Sequence, residues 1–215
     1  MEKIKKKKIL IIGAKGMLGQ ILFEIFSADY ESYEVIAWDR ENIDLADFDQ
    51  VSQKIFVVKP DIIINTAAYN NVDACEQEEK LANLINGFAV GNLARVAKKI
   101  NALVVHFSSG YVFSGAGKDG YREEDQLAPV SKYEHSKHLG EKELIKNAEK
   151  FYLIRTNLLF GPPAQAKRAK KSFVDLVLDL TKVNVSFKFV ADEVSNPTYA
   201  VDLASATKKL IEDSF

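Results

Sequence analysis

The apolar residues of the chain fall into short unbroken runs separated by longer stretches of helical period. "KILIIG", "DIIINTAA", "LVVHFSS" and "FYLIRT" are too continuous to leave one face in water, and they predict parallel strands buried on both sides. Between them, "MLGQILFEIF", "FDQVSQKIFVV", "KLANLINGFAVGNLARVAKKI" and "YEHSKHLGEKELIKNAEK" predict amphipathic helices, so the order is βαβ and the expected fold class is α/β, a doubly wound parallel sheet. "YEVIAW" adds a strand after the first helix, "VSFKFV" a later edge strand, and "AVDLASATKKLIED" a last helix. No internal repeat or low-complexity tract interrupts this order.

Length and charge narrow the possibilities. At 215 residues the chain is long enough for one sizeable domain, residues 1–215, and short for two. Lys and Arg number 29 against 30 Asp and Glu, a net charge of -1, so no overall field draws the protein to nucleic acid or to an acidic membrane. The single cysteine, Cys75, excludes an internal disulfide and points to a reducing compartment, the cytoplasm. The start "MEKIKKKKILIIG" resembles the basic end of an export signal, but its apolar run stops at Ile12. No later run approaches the ~18 apolar residues of a membrane span. Function has to come from a site.

The first such site opens the first helix. "GAKGMLG" places Gly13, Gly16 and Gly19 directly after the first strand. Gly13 suits the tight turn, Gly16 lets the backbone approach a pyrophosphate, and Gly19 lets helix and strand pack, while the N–H groups around Met17 and Leu18 face the anion. The second strand ends in "AWDR", putting Asp39 at the ~20-residue distance where an acid accepts the adenosine ribose hydroxyls. Arg40 beside it suits the 2′-phosphate of NADP while Asp39 suits NAD, so the cofactor is NADP or NAD. "IDL", with Asp44 and Leu45, is either a short element beside the adenine or a turn after the second strand.

The second candidate is "SKYEHSK". Tyr133 stands four residues ahead of Lys137, which on a helix puts both on one face. Alone, such a pair reads as two neighbours on a wet surface. "LVVHFSSGYVFSG" changes this, because Ser108 and Ser109 end a strand at the carboxyl edge where ligands of open α/β sheets bind. A phenol near its ordinary pKa of ~10 is a poor proton source at neutral pH unless a neighbouring cation stabilises the phenolate, and Lys137 is placed for that. With Ser109 holding a carbonyl oxygen, the three residue types describe carbonyl reduction.

These stretches resemble the dTDP-4-dehydrorhamnose reductase family, extended short-chain dehydrogenases/reductases. "PDIIINTAAYNNVDACE" is similar to the family's "PDxVINxAAxTxVDxAE", "HFSSGYVFSG" to "xxSTDYVFxG", "APVSKYEHSK" to "PxNxYGxxK", "RTNLLFG" to "RTSWxxG", and "DEVSNPTYAVDLA" to "DQxGxPTxxxDLA". The resemblance implies a Rossmann fold with an abbreviated C-terminal substrate-facing region, residues 157–200. It implies Ser109, Tyr133 and Lys137 as the catalytic triad, Lys137 also meeting the nicotinamide ribose, and Ala67, Ala68 and Tyr69 along the cofactor. Asn86 would sit near the active site. Tyr111 and Asn157 would join Ser109 and Tyr133 at the substrate, with Pro197 and Thr198 bordering or supporting its pocket. The implied reaction reduces the 4-keto group of a dTDP-deoxyhexose to give dTDP-rhamnose, and relatives of this kind often pair as homodimers.

Departures from the family pattern stand at Gly110, where the family has Asp, at Glu134 after Tyr133, where it has Gly, and at Leu158, where it has Trp. Some members hold magnesium with a carboxylate two residues beyond the third glycine; Ile21 stands there, so no such metal is expected. A dehydratase is disfavoured because an acidic pair should follow the catalytic hydroxyl and Gly110 and Tyr111 stand there. An epimerase, or a cofactor-binding regulatory subunit like that of methionine adenosyltransferase, stays open. His135 and His138 read as a solvated helix face, His106 as a core histidine, and Cys75 as an inert thiol. The basic patch "KRAKK", Lys167 to Lys171, reads as a solvated loop entering a helix, or as a grip on a substrate phosphate.

Overall fold

The structure, a computed structural model, describes residues 5–117, 119–166, 171–183, 186, 188 and 195–213. The predicted strand "VSFKFV" and Lys167 to Lys170 of the basic patch lie essentially outside the described residues. In chain order the elements begin β1 (Lys7–Ile12), α1 (Met17–Ala28), β2 (Tyr33–Trp38), α2 (Phe48–Val58), β3 (Ile62–Asn65) and α3 (Val72–Gln77). A long helix follows as α4 (Glu79–Ala82), a π-helical stretch (Asn83–Phe88) and α5 (Ala89–Ile100). Then come β4 (Leu103–Ser109), a 3-10 turn (Gly110–Val112), α6 (Lys132–Asn147), β5 (Phe151–Thr156), β6 (Leu159–Phe160), α7 (Phe173–Lys182), β7 (Thr198–Tyr199) and α8 (Ala200–Glu212).

Strands β1 to β5 form one parallel sheet in the order β2-β1-β3-β4-β5. The strand pleat sorts the apolar runs between two faces. Ile9, Ile11, Ile62, Ile64, Leu103 and Val105 pack against Leu22 and Phe26 of α1 and Ala204 and Ile211 of α8. Leu10, Ile12, Ile63 and Val104 pack against Val51 and Ile55 of α2, Leu93 and Ala97 of α5, and Leu144 of α6. Each fully buried Ile or Leu contributes about 2 kcal/mol, so a one-residue slip of register would lose most of the core. One expected strand differs: β5 is half-buried along its whole length, because among the described residues it is the edge of the sheet.

After β2 the chain crosses back over β1 to place β3 on its other side, so the crevice of the sheet opens at the carboxyl ends of β1 and β3. A two-stranded parallel pair, β6 with β7, stands beside the main sheet. Among the described residues no helix is long and apolar enough to cross a membrane.

Candidate active site

The nucleotide end is built from backbone. Gly13 has φ 82°, a left-handed turn that favours glycine, and a methyl group on Gly19 would lie 2.2 Å from the Gly13 carbonyl oxygen. Gly16 caps α1 with no side-chain hydrogen bond, and no acid sits in the first turn, so the N–H groups around Met17, Leu18 and Gly19 face the crevice without an anionic side chain to satisfy them. The Thr66 hydroxyl donates to the Ile12 and Gly13 carbonyls at 2.9 and 3.1 Å, pinning this turn to the end of β3. These residues fit a dinucleotide: side chains at 13 and 19 would collide with Ala67 and Thr66 and with the Gly13 carbonyl, so glycine keeps the turn tight against β3 and leaves the start of α1 bare for an anion.

Asp39 stands one residue beyond β2, and its two carboxylate oxygens accept the Lys15 N–H at 3.0 Å and the Arg40 N–H at 2.7 Å. It therefore fixes the glycine loop to the end of β2. Lys15, which the glycine pattern alone does not mark, forms an ion pair with Glu41 at 2.5 Å. The "IDL" segment is a turn in which Asp44 accepts the Ala46 N–H at 2.9 Å and Leu45 is buried in the core under α2.

Ala67, Ala68 and Tyr69 continue from β3 into the crevice. The Ala67 N–H donates to Asn65 Oδ1 at 3.2 Å. Asn86, in the π-helical stretch, accepts the Tyr69 N–H at 2.7 Å and donates to the Tyr69 carbonyl at 3.0 Å and to Ser136 Oγ at 2.9 Å. Ser136 in turn donates to the Tyr133 carbonyl at 2.6 Å. One buried amide thus ties the loop after β3 to the helix carrying Tyr133, and π-helical turns are frequent at functional sites. The Tyr69 hydroxyl bonds the Glu78 carboxylate.

Tyr133 lies in the first turn of α6, held there by a capping box: Ser131 Oγ accepts the Glu134 N–H at 3.2 Å, and the Glu134 carboxylate accepts the Ser131 N–H at 3.0 Å. The Glu134 departure therefore has a local reason. The Tyr133 phenol lies beside the Ser109 hydroxyl, and Ser109 Oγ accepts the Tyr111 N–H at 3.2 Å. Burial pushes the phenol up to about 12, partly offset by the Ser109 hydroxyl. Lys137 is only 2 % exposed, donates to the Phe107 carbonyl at 2.7 Å, and is brought down to about 8 by burial, with the Glu141 carboxylate pulling the other way. Ser109, Tyr133 and Lys137 thus converge at one edge. Burial is the largest influence on the phenol, and Lys137 is not among the groups that shift it.

Glu141, one turn beyond Lys137 and 1 % exposed, is paired in bidentate fashion with Arg155 of β5 at 3.0 and 2.8 Å. Arg155 also donates to the Glu123 carbonyl at 2.9 Å and lies 5.0 Å from the Phe113 ring centre, fastening the loop that follows Tyr111. Asn157 follows β5 directly, next to Gly110, and the Thr198 N–H donates to the Leu158 carbonyl at 3.2 Å, so Thr198 braces this turn. Over the glycine loop, Gln20 donates to the Pro163 carbonyl at 2.8 Å and the Ala166 N–H donates to the Lys15 carbonyl at 2.9 Å. A cavity of about 330 Å³ beside this strap is lined by Met17, Pro163, Ala164, Ser172 and Asp175. A larger hollow of about 580 Å³, under Trp38 and against α2, contains none of the candidate catalytic groups.

His106 is buried on β4 with Nδ1 3.2 Å from Asn65 Nδ2, and burial holds its pKa well below the usual range, as a core histidine requires. Cys75 is buried with Sγ 3.7 Å from the Tyr69 carbonyl. Lys171, the described member of the basic patch, is paired with Asp179 at 2.6 Å. Among the described residues no group of three or more His, Cys, Asp or Glu could hold a metal ion.

A backbone cradle for pyrophosphate at the switch point, with a phenol, a hydroxyl and a buried ammonium beside it, places the molecule among the α/β dinucleotide-binding oxidoreductases. Comparison with known proteins narrows that class. The family described as the RmlD substrate binding domain matches residues 7–215. The chain is 36% identical over 203 residues to the spore coat polysaccharide biosynthesis protein SpsK of Bacillus subtilis (strain 168), covering 94% of this chain and 69% of that one. It is 36% identical over 205 residues to a dTDP-4-dehydrorhamnose reductase of Aggregatibacter actinomycetemcomitans, covering 95% of this chain and 67% of that one. The crystal structure of a dTDP-4-dehydrorhamnose reductase from Bacillus anthracis str. Ames in complex with NADP superposes with a TM-score of 0.89 at 34% identity, covering 98% of this chain and 72% of that one. The chain belongs to the RmlD substrate binding domain family, the family of the dTDP-4-dehydrorhamnose reductases. It spans about two thirds of the length of the curated relatives, 69% and 67% for the two named.

Proposed function

We propose that the chain carries out NADPH- or NADH-dependent reduction of the 4-keto group of a dTDP-deoxyhexose, the dTDP-4-dehydrorhamnose reductase reaction of dTDP-rhamnose biosynthesis, in the cytoplasm. The observation that carries this reading is the convergence of Ser109, Tyr133 and a buried Lys137 at the carboxyl edge of the sheet that also holds the glycine cradle. Gly13, Gly16 and the first turn of α1 would hold the pyrophosphate, Asp39, Arg40 and Lys15 the adenosine end, and Ala67 to Tyr69 would line the path to the nicotinamide. When bound, the reduced nicotinamide supplies a hydride to the carbonyl carbon. Ser109 donates a hydrogen bond to the carbonyl oxygen and orients it toward Tyr133. Tyr133 gives that oxygen its proton as negative charge develops. Such an oxygen approaches the basicity of hydroxide, whose conjugate acid water has a pKa of ~15.7, so a phenol pushed up to about 12 is still a competent acid. Lys137 stabilises the phenolate that remains. The described residues of the segment 157–200 would face the sugar nucleotide in this reading.

The test is direct. The purified protein is expected to oxidise NADPH or NADH in the presence of dTDP-4-dehydrorhamnose, followed by absorbance. Tyr133→Phe is expected to lower kcat by about a hundredfold or more while cofactor affinity is kept. A wild type that binds cofactor and turns over no keto-sugar nucleotide would shift the assignment to a cofactor-binding regulatory subunit.

A further inference from the structure

Ser109 of β4 and Thr156 of β5 are register partners, so the residues that follow them, Gly110 and Asn157, leave the sheet side by side at its carboxyl edge. The Asn157 amide fills the space above Gly110: a methyl group there would lie 2.3 Å from Asn157 Oδ1 and 2.6 Å from Nδ2. Gly110 does not have a positive φ, so glycine is needed here for room. Asn157 Oδ1 is buried and has no hydrogen-bond partner among the described residues, and the neighbouring Thr156 Oγ1 is in the same state. A buried carbonyl oxygen without a donor is costly, and the position next to Ser109 is where a substrate would supply one.

We propose that Asn157, with Gly110 keeping its place open, is a specificity-determining residue whose amide oxygen accepts a hydrogen bond from the sugar hydroxyl on the carbon next to the substrate's carbonyl. The two positions act as one unit, because any side chain at 110 must displace the amide at 157. This rests on the reductase reading for the identity of the substrate and adds to it the hydroxyl that is recognised. Ser109 holds the reacting oxygen and Asn157 the neighbouring hydroxyl, so the ring is fixed at two adjacent atoms. That fixes which face of the carbonyl is presented.

The experiment compares wild type, Asn157→Ala, Gly110→Ala and the double variant on dTDP-4-dehydrorhamnose and on its analogue lacking the hydroxyl next to the carbonyl. Wild type is expected to prefer the hydroxyl-bearing substrate by about tenfold in kcat/KM, the size of one neutral hydrogen bond, and Asn157→Ala to lose that preference mainly through KM. Gly110→Ala is expected to lower both activity and melting temperature, and the loss to shrink when combined with Asn157→Ala. An Asn157→Ala enzyme that keeps the wild-type preference overturns the hydroxyl contact, and a Gly110→Ala defect of equal size in both backgrounds overturns the unit. A wild type that reduces neither substrate sinks the reductase reading instead. Calorimetric binding of dTDP-rhamnose then judges the contact, and an affinity unchanged by Asn157→Ala overturns it.

Discussion

The carboxyl edge of the sheet has two halves, and they treat their polar groups in opposite ways. At the ends of β1, β2 and β3 the named polar groups close on the protein itself: Asp39 accepts two backbone N–H groups, the Thr66 hydroxyl donates to two carbonyls, and Asn65 accepts the Ala67 N–H. At the ends of β4 and β5, Ser108, Thr156 and Asn157 keep buried oxygens with no partner among the described residues. The first half is a cradle already in its working shape. The second leaves buried acceptors for a ligand to satisfy. Fixed backbone suits a cofactor shared by many enzymes, whereas unsatisfied side chains suit the reactant that sets this one apart.

The largest expected effect tests the rigidity of the first half. Gly19→Ala puts its methyl group 2.2 Å from the Gly13 carbonyl oxygen, a backbone atom that cannot turn aside. The distortion should cost about 1–3 kcal/mol of stability and on the order of a hundredfold in NADPH affinity, read by thermal melting and fluorescence titration. Asn157→Ala should leave cofactor affinity at its wild-type value. If the two variants weakened the cofactor equally, the two halves would not be separate devices.

A smaller effect concerns Lys137, which sits under the second half. Its pKa is brought down to about 8 from 10.5 by burial, against the pull of Glu141. His106 on β4 is held neutral by its own burial, and Arg155 on β5 is already engaged by Glu141. Reduction needs the ammonium, so kcat should fall as pH rises through about 8. Glu141→Gln removes the group that raises this pKa and should move the falling limb to lower pH. The linked effect on stability has the opposite sense. Below about pH 8 the folded state keeps a buried charge, at a cost of about 3 kcal/mol, and that cost is relieved as pH rises from about 8 to 10.5. Urea unfolding of wild type and Lys137→Met across this range reads the difference; equal pH dependence in both proteins would refute it.

How far each half is legible in the sequence follows from the same contrast. The sheet, the glycine cradle and the Tyr133 and Lys137 spacing are local patterns, set by strand period, turn requirement and helix period. Ser136 and Gln20 have no such signature, since their partners, Asn86 and Pro163, lie 50 and 143 residues away. Glu134 stands out in the sequence only as a departure from the family, although the S-x-x-E spacing from Ser131 is a capping signal in its own right. Gly110 is likewise visible as a departure, but what fills the space is Asn157, on another strand. Lys137 shows the limit most clearly: its spacing from Tyr133 is plain, yet the state of the phenol is governed by burial, which spacing does not report.

Gln20 is where the two halves meet, and it carries the smallest expected effect. It lies in α1, one residue past the glycine pattern, 7 % exposed, and its amide N–H donates to the Pro163 carbonyl at 2.8 Å, holding the strap that follows β6 over the nucleotide loop. The Ala166 N–H bond to the Lys15 carbonyl holds the same strap without any side chain, so the strap should loosen and not detach when the amide is removed. Gln20→Leu keeps the volume and deletes the donor, a loss of about 1 kcal/mol or roughly fivefold in an equilibrium. That loss should appear in the rate of NADPH dissociation, measured by stopped-flow fluorescence, with the preference set by Asn157 unchanged. If Gln20→Leu instead altered the choice of sugar and left cofactor release alone, the strap would belong to the substrate half and the boundary drawn here would have to move to α1.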